Sequence, residues 1–416
     1  MTAHPTRRAD RWERRVQLAA HPLGYPLLRG LARLGPVVRV PRVGVVVSDA
    51  AVARAVLGDP SAFRKTGPGS PAALWTPVVG PSVLLNMEGP DHARLRTALS
   101  ELFTPRAVEE LVAASAVPEL VRRRLVAGEE VDLVAATASM AGAAIAELVG
   151  LGEPAETRTG ASGRGGTAAG PARADTRSGG FGPPGPALDA ARALTGMVRL
   201  GRPSLTTRQV TRARAALATL TAPAVAAYRE GDPSTVPGRM RALGLDEEEA
   251  RGAVAAFALT GTETVVSFVP RLVALVHDAG LLDAVAADPD TAETVTTEAL
   301  RVVAPSPVML RSVARPGVVG DTEVRPGDRV VIATVSAARA TGGFDPQRPH
   351  PPAVRNLWFG AGPHFCLGMP LATAQIRALR TAVLDAHRER PVRVLRRRVA
   401  RQVLVPGYRE LVVGHG

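Results

Sequence analysis

The element pattern of the sequence predicts a mainly α-helical chain with a small β-rich side, on three observations. Long apolar stretches of helical period recur, at 106–127, 133–149 and 247–277. Short valine-rich runs bounded by Pro and Gly are few, at 37–40, 43–47, 313–335 and 392–413. No linker separates two self-sufficient patterns and no internal repeat occurs, so one domain is expected over 21–416 behind a flexible N-terminus over 1–20.

Composition narrows the function classes. The net charge of +13 is carried by arginine almost alone, because Lys65 is the only lysine. With abundant Ala, Gly, Pro and Val, this composition fits a GC-rich bacterial genome. The arginines are scattered, aromatics are 3 % and no finger or recognition-helix motif occurs, which argues against nucleic acid. A basic face that attracts an acidic electron-transfer partner fits better. No uninterrupted apolar run is long enough for a bilayer, and residues 1–10 are too polar and proline-broken for a signal peptide. The expectation is a soluble cytoplasmic protein without membrane contact, where an unpaired thiol survives.

Taken in order, 37–40 and 43–47 read as a hairpin around Pro41-Arg42, and 49–57 as a helix capped by Asp49. Residues 65–87 form a Pro- and Gly-rich loop, either a surface connection or a binding loop. A helix starting near Pro90 places His92 and Arg96 on one face, where they are either solvated or able to hold a carboxylate. After the helices at 106–127 and 133–149, residues 153–186 are dominated by Gly, Ala, Pro, Ser, Thr and Arg, and read as flexible. Helical patterns resume at 187–200 and 206–228.

Inside 247–277, FALTGTETVVSF places Glu263 among threonines. It is either a core-helix acid reaching for solvent or a functional group, while Thr260, Gly261 and Thr264 weaken the helix locally. Glu298 and Arg301, three apart, share a helical face and need to be paired if buried. Residues 305–311 read as an extended strand, 313–335 as further strands and hairpins, and 392–413 as two terminal strands.

The segment WFGAGPHFCLGMPLA, 358–372, contains Cys366, the only cysteine. A lone cysteine excludes an intrachain disulfide. It is either a small buried hydrophobe or a thiolate ligand stabilised by the entrance of the helix that follows from Leu371.

Phe359-Gly360-x-Gly362-x-His364-x-Cys366-x-Gly368 resembles the haem-binding loop of the cytochrome P-450 superfamily, the haem-thiolate monooxygenases. The ordered motifs extend that resemblance over almost the whole chain from about Arg39. It implies the superfamily's mainly helical, roughly triangular fold and haem b (iron protoporphyrin IX) as cofactor. Cys366 is then the axial iron ligand, with Phe359, Gly360, Gly368 and Gly261 also against the cofactor. His92, Arg96, Arg311 and His364 are implied to hold its propionates.

Thr264 is implied to hydrogen-bond the activated oxygen, and Glu263 to relay protons to it. Position 260, Ala or Gly in the family pattern, is Thr260 here. Glu298, Arg301 and Arg348 are implied to form a structural network, although Pro349 stands where the family has an aromatic. Trp75, Val78, Val79, Phe257, Thr260, Val308 and Met309 are the implied substrate contacts. The family's lid helices fall near 153–228, where this chain departs from the pattern.

The implied activity is insertion of one oxygen atom from O2 into a small organic substrate, a natural-product intermediate of secondary metabolism. A ferredoxin or flavodoxin with its reductase would supply electrons, received near Arg377 and Arg380. The alternatives are peroxide-driven oxidation, desaturation or ring formation on the same cofactor, or a non-catalytic haem-binding protein.

Overall fold

The computed structural model describes residues 4–151, 181, 185–198 and 205–416. Its helices are α1 (His4–Ala20), α2 (Gly24–Leu34), α3 (Ala50–Gly58), α4 (Pro71–Val79), α5 (Gly89–Ser100), α6 (Pro105–Ala113), α7 (Val117–Val126), α8 (Leu133–Leu148), α9 (Gly185–Thr195), α10 (Thr207–Thr221), α11 (Ala224–Glu230) and α12 (Val236–Ala242). They continue with α13 (Glu247–Gly261), α14 (Glu263–Asp278), α15 (Leu282–Ala287), α16 (Pro289–Val303), α17 (Thr334–Ala337) and α18 (Met369–Glu389). The strands are β1 (Val37–Val40), β2 (Gly44–Val47), β3 (Phe63–Arg64), β4 (Val131–Asp132), β5 (Met309–Val313), β6 (Gly317–Val319), β7 (Thr322–Val324), β8 (Arg329–Ile332), β9 (Arg393–Val399) and β10 (Tyr408–Gly414).

Three small sheets, in the orders β1-β2-β8-β5-β3, β4-β10-β9 and β6-β7, flank a helical body. The mainly helical expectation with a minor β portion therefore holds. The hairpin at β1–β2 pairs Val37 with Val47, and Asp49 caps α3 by accepting from Ala51 and Val52 N–H at 2.8 and 2.9 Å. The terminal strands β9 and β10 pair antiparallel as expected.

Several boundaries differ from the sequence reading, each for a local reason. Residues 1–20 were expected to be flexible, yet His4–Ala20 is a helix whose Glu13 forms a buried ion pair with Arg271 of α14. Gln17 Nε2 adds a bond to Val303 O at 3.3 Å. The 65–87 loop contains α4, started by Pro71 and by the Ser70 hydroxyl, which accepts from Ala73 N–H at 3.3 Å. The 106–127 pattern divides into α6 and α7, with Pro118 in the first turn of α7. The 206–228 pattern divides at Pro223. The 153–186 segment lies outside the described residues except for Phe181 and the start of α9.

The 247–277 pattern breaks at Thr262 (φ −103°, ψ −62°) into α13 and α14. Three hydroxyls at that break bond back four residues: Thr260 to Ala256 O at 2.8 Å, Thr262 to Ala258 O at 3.0 Å and Thr264 to Thr260 O at 3.5 Å. Such back-bonding competes with the helical ladder and bends the axis. By length and composition Glu247–Asp278 is apolar enough to cross a membrane, but 67 % of its most apolar stretch is buried inside the protein. It is the core about which α8, α16 and α18 pack, through Val265, Phe268, Val269, Leu272 and Val276.

Candidate active site

A cavity of about 1290 Å³ opens between the Cys366 loop, the α13–α14 break, α5 and the N-terminal half of β5. The loop is shaped by two glycines in left-handed conformation, Gly360 (φ 84°) and Gly362 (φ 67°). A Cβ on Gly362 would lie 2.4 Å from Leu57 O, so only glycine fits there. Cys366 N–H donates to Phe359 O at 2.9 Å, and the sulfur borders the cavity just before the first turn of α18. Burial pushes its thiol pKa up. The backbone N–H groups of Gly368 and Met369 and the charges of Arg96 and Lys65 pull it down. The loop thus favours a thiolate once a cation is present to stabilise it.

Basic groups from four elements converge around the cavity. His92 and Arg96 come from α5, Arg311 from β5 and His364 from the Cys loop, as expected. The His92 and His364 rings lie 4.3 Å apart. Lys65, which the sequence reading passed over, joins them. No Asp or Glu is among the described residues that line this cavity. Arg311 is buried, and its one hydrogen bond runs to the neighbouring Leu310 O at 2.8 Å. Burial lowers its pKa to about 10, and that of Lys65 to about 7, with the Arg311 charge adding to the latter. His92 falls to about 4, through burial and then Lys65 and Arg96. His364 is pushed far down by burial and the same cations, and its Nδ1 is buried without a hydrogen-bond partner. Glu88 is the carboxylate that offsets part of this charge, accepting from Lys65 N–H and Thr66 Oγ1 at 2.5 Å each. Lys65, Arg96 and Arg311 against Glu88 leave two uncompensated positive charges. A buried cluster of that kind is costly unless anionic oxygens complete it.

On the opposite wall, Thr264, Thr260, Gly261 and Phe257 line the cavity, while Glu263 turns away from it. Glu263 Oε1 instead accepts from Arg192 Nε of α9 at 3.0 Å. Burial raises its pKa, and Arg192 opposes that rise. A Cβ on Gly261 would meet Ile145 Cδ1 at 2.5 Å, so this glycine also lets α8 approach the break.

Behind the loop, Glu298 and Arg301 form a bidentate pair, both bonds 2.7 Å. Arg301 also donates to Ala338 O, Gly342 O and Gly343 O at 2.7, 3.1 and 2.8 Å, which satisfies all of its N–H directions. The third side chain on Glu298 is His350, at 2.9 Å, rather than Arg348. Arg348 bonds to Thr341 O, Gly343 O and Asp345, so it meets the network through the Gly343 carbonyl that it shares with Arg301. Pro349 separates Arg348 from His350, the residue that faces the carboxylate.

Of the expected substrate contacts, Trp75, Phe257, Thr260, Val308 and Met309 line the cavity. Val78 and Val79 do not. They are buried where α4 meets α13, with Val79 O so close to Gly252 that a Cβ there would lie 2.2 Å away. Arg380 is also unlike its expected exposed state. It is buried and donates to Thr296 Oγ1 and Glu293 at 2.7 and 2.8 Å, while Arg377 remains 62 % exposed. Thr195, Arg329, Gln402 and Leu404 line the cavity without having been singled out. They come from α9, β8 and the loop between β9 and β10, and no local motif marks them.

This geometry defines a class: a helical protein with one cysteine aimed into a large apolar cavity, whose rim has cations but no acid. A sequence profile of the Cytochrome P450 family matches residues 291–393. The erythromycin C-12 hydroxylase of Saccharopolyspora erythraea is 29 % identical over 313 residues, 71 % of this chain and 71 % of that one. YjiB of Bacillus subtilis (strain 168), which carries the cytochrome P450 name, is 31 % identical over 134 residues, and the chain covers 33 % of its length. A structure of P450 EryK in complex with erythromycin B superposes with a TM-score of 0.72 and 26 % identity, over 94 % of this chain and 95 % of that one. The chain belongs to the cytochrome P450 family, whose members are haem-thiolate oxidoreductases of the monooxygenase type.

The residues present fit that cofactor. Haem is flat and carries two carboxylates, which match the two uncompensated positive charges and the orphaned His364 Nδ1. Gly368, whose added Cβ would meet nothing closer than Phe103 at 3.9 Å, leaves the wall beside the sulfur open.

Proposed function

We propose that the chain, as one domain, is a cytoplasmic monooxygenase that converts R–H, O2, two electrons and two protons into R–OH and water. Its substrate is an apolar small molecule of natural-product type. The observation that carries this reading is the Cys366 sulfur at the entrance of α18, facing a cavity that also holds Thr264. Bound haem supplies the reduction of O2 and the transfer of one oxygen atom to carbon.

The chain's own residues do the rest. Cys366 would hold the haem iron through its sulfur, the loop being oriented by the Cys366 N–H bond to Phe359 O. Lys65, His92, Arg96, Arg311 and His364 would hold the carboxylates of the cofactor. The Thr264 hydroxyl, whose bond to Thr260 O is long at 3.5 Å, is free to turn toward the cavity and donate. Glu263, next to it, has its pKa raised by burial against the opposing pull of Arg192, and would relay protons toward Thr264. Trp75, Phe257, Leu74, Leu84 and Met309 exclude water and press an apolar substrate toward the sulfur. Glu298, Arg301 and His350 are structural, fixing the 338–350 segment that leads into the Cys loop. Electrons come from a ferredoxin or flavodoxin with its reductase, and Arg377 of α18, exposed although paired with Glu293 at 3.3 Å, is one cation able to meet such an acidic partner. The natural-product assignment is supported by relatives named for erythromycin at 26–29 % identity.

The test is the reduced, carbon monoxide-bound absorption spectrum of the haem-loaded protein. A thiolate-type Soret shift in wild type that disappears in Cys366→Ala is expected. Its absence in wild type refutes the reading, and its persistence in the variant refutes the ligand assignment.

A further inference from the structure

The cavity holds one arginine that the cofactor does not account for. Arg329 of β8 lines the same space as Cys366. In the β5–β8 pairing, Arg311 stands opposite Val330 and Ser312 opposite Arg329, so the Arg311 and Arg329 side chains leave opposite faces of the sheet. Arg311 lies with the carboxylate-holding cluster. Arg329 lies on the face that α2 covers, beside Val331 and Leu310. Its guanidinium is laid against Gly69, where a Cβ would meet Nε at 2.5 Å and Nη2 at 2.8 Å. Nε donates to Gly69 O at 3.1 Å, and no carboxylate among the described residues pairs with it. The adjacent Asp328 is held by Arg39 at 3.0 Å.

The cavity reaches solvent on the side of α2, the helix that covers the Arg329 face of the sheet. Leu23, which precedes α2, and Leu27 within it line the cavity while 85 % and 50 % exposed. Apolar side chains, Leu28, Val43, Leu74 and Leu310 among them, line the same cavity as Cys366. Lys65, Arg96, Arg311 and Glu88 together balance a dicarboxylate, so Arg329 is left as a single arginine without a carboxylate partner among the described residues, in a mainly apolar cavity. Its remaining N–H groups form a planar fork suited to one carboxylate.

We propose that Arg329 is a specificity residue that binds the carboxylate of an amphipathic monoanionic substrate, whose apolar body extends through the cavity toward Cys366. This rests on the monooxygenase reading above and adds the substrate class. Such a substrate is held by its head, so the oxidised carbon lies on the apolar body, at a distance from the carboxylate set by the cavity.

The test uses the haem-loaded protein with dodecanoate and methyl dodecanoate as probes, their affinities measured calorimetrically for wild type, Arg329→Gln and Arg329→Lys. Wild type should prefer the acid by about tenfold or more, the scale of one charge-assisted hydrogen bond. Arg329→Gln should lose that preference with ester affinity unchanged, and Arg329→Lys should keep part of it. Equal binding of acid and ester by wild type, binding of neither, or an equal loss for both in Arg329→Gln would overturn the proposal, the last pointing to packing against Gly69. The carbon monoxide spectrum of the same samples separates the two failures. A thiolate-type spectrum without acid preference defeats only the Arg329 assignment. A wild type lacking that spectrum defeats the site reading beneath it.

Discussion

Arg192 Nε donates to Glu263 Oε1 at 3.0 Å, tying α9 to the first turn of α14 at the edge of the cavity. Glu263 is therefore held off Thr264's side of the cavity while its pKa is raised by burial and restrained by Arg192. If Glu263 supplies protons, Glu263→Gln should lower the rate of product formation about 10²-fold, the lower end of a general acid's contribution. Thr264→Ala should divert electrons to hydrogen peroxide with substrate still bound. Arg192→Met removes the one charge that lowers the Glu263 pKa, so the pH at which Glu263 deprotonation limits the reaction should rise. Product formed per electron consumed, measured across pH, checks all three.

Lys65 is predicted to hold the cofactor even though it lies in no recognised motif. Its pKa, lowered to about 7 by burial and by Arg311, shows a cation placed where charge is unfavourable without an anion. Lys65→Met should speed haem loss to a scavenging apoprotein by about tenfold, the worth of one charge-assisted bond. It should also lower the haem midpoint potential, because removing a positive charge favours the ferric state. An unchanged potential and release rate would leave Lys65 without a part in binding.

What was legible in the sequence depended on how local each constraint is. The Cys366 loop and the His92–Arg96 pair could be read because their members lie within one turn or one helical face. Lys65 and His350 could not, since each acts across a gap in sequence: Lys65 toward Arg311, and His350 toward Glu298, 52 residues away. Helix α1 was missed for the same reason. Its buried Glu13 is stabilised by Arg271, 258 residues later, and a polar-looking N-terminus gives no sign of that partner. Val78 and Val79 were misplaced because apolar side chains in a proline-rich stretch serve a core as well as a pocket, and only the contact of Val79 with Gly252 decides between them.

His92 makes the cofactor-free protein acid-sensitive. Its folded pKa, about 4, lies below the ordinary value of 6.5, so between those pH values the unfolded chain binds a proton that the folded chain does not. Stability should be constant above about pH 6.5 with respect to this group and should fall as the pH drops toward 4. Comparing urea midpoints of wild type and His92→Gln at pH 7.5 and 5.0 checks the sign: the variant should lose less on acidification. Haem-loaded protein should show a smaller difference, because carboxylates beside His92 favour its protonated form.

Glu298 and Arg301 are both almost fully buried, and their pairing makes a firm prediction about stability. Glu298→Ala leaves the Arg301 guanidinium in the core with carbonyl acceptors but no counter-charge, and should cost about 3–5 kcal/mol. It also frees His350 Nε2 and the Asp345 N–H, which now bond to that carboxylate at 2.9 and 2.7 Å. His350→Gln removes one bond at the rim and should cost about 1 kcal/mol. Replacing both Glu298 and Arg301 with methionine removes the charges together, so the double variant should unfold at a higher urea concentration than Glu298→Ala alone. If the double variant is the less stable, carbonyl organisation by Arg301 over Ala338, Gly342 and Gly343 outweighs the uncompensated charge, and the pair's main task is to shape the approach to the Cys366 loop.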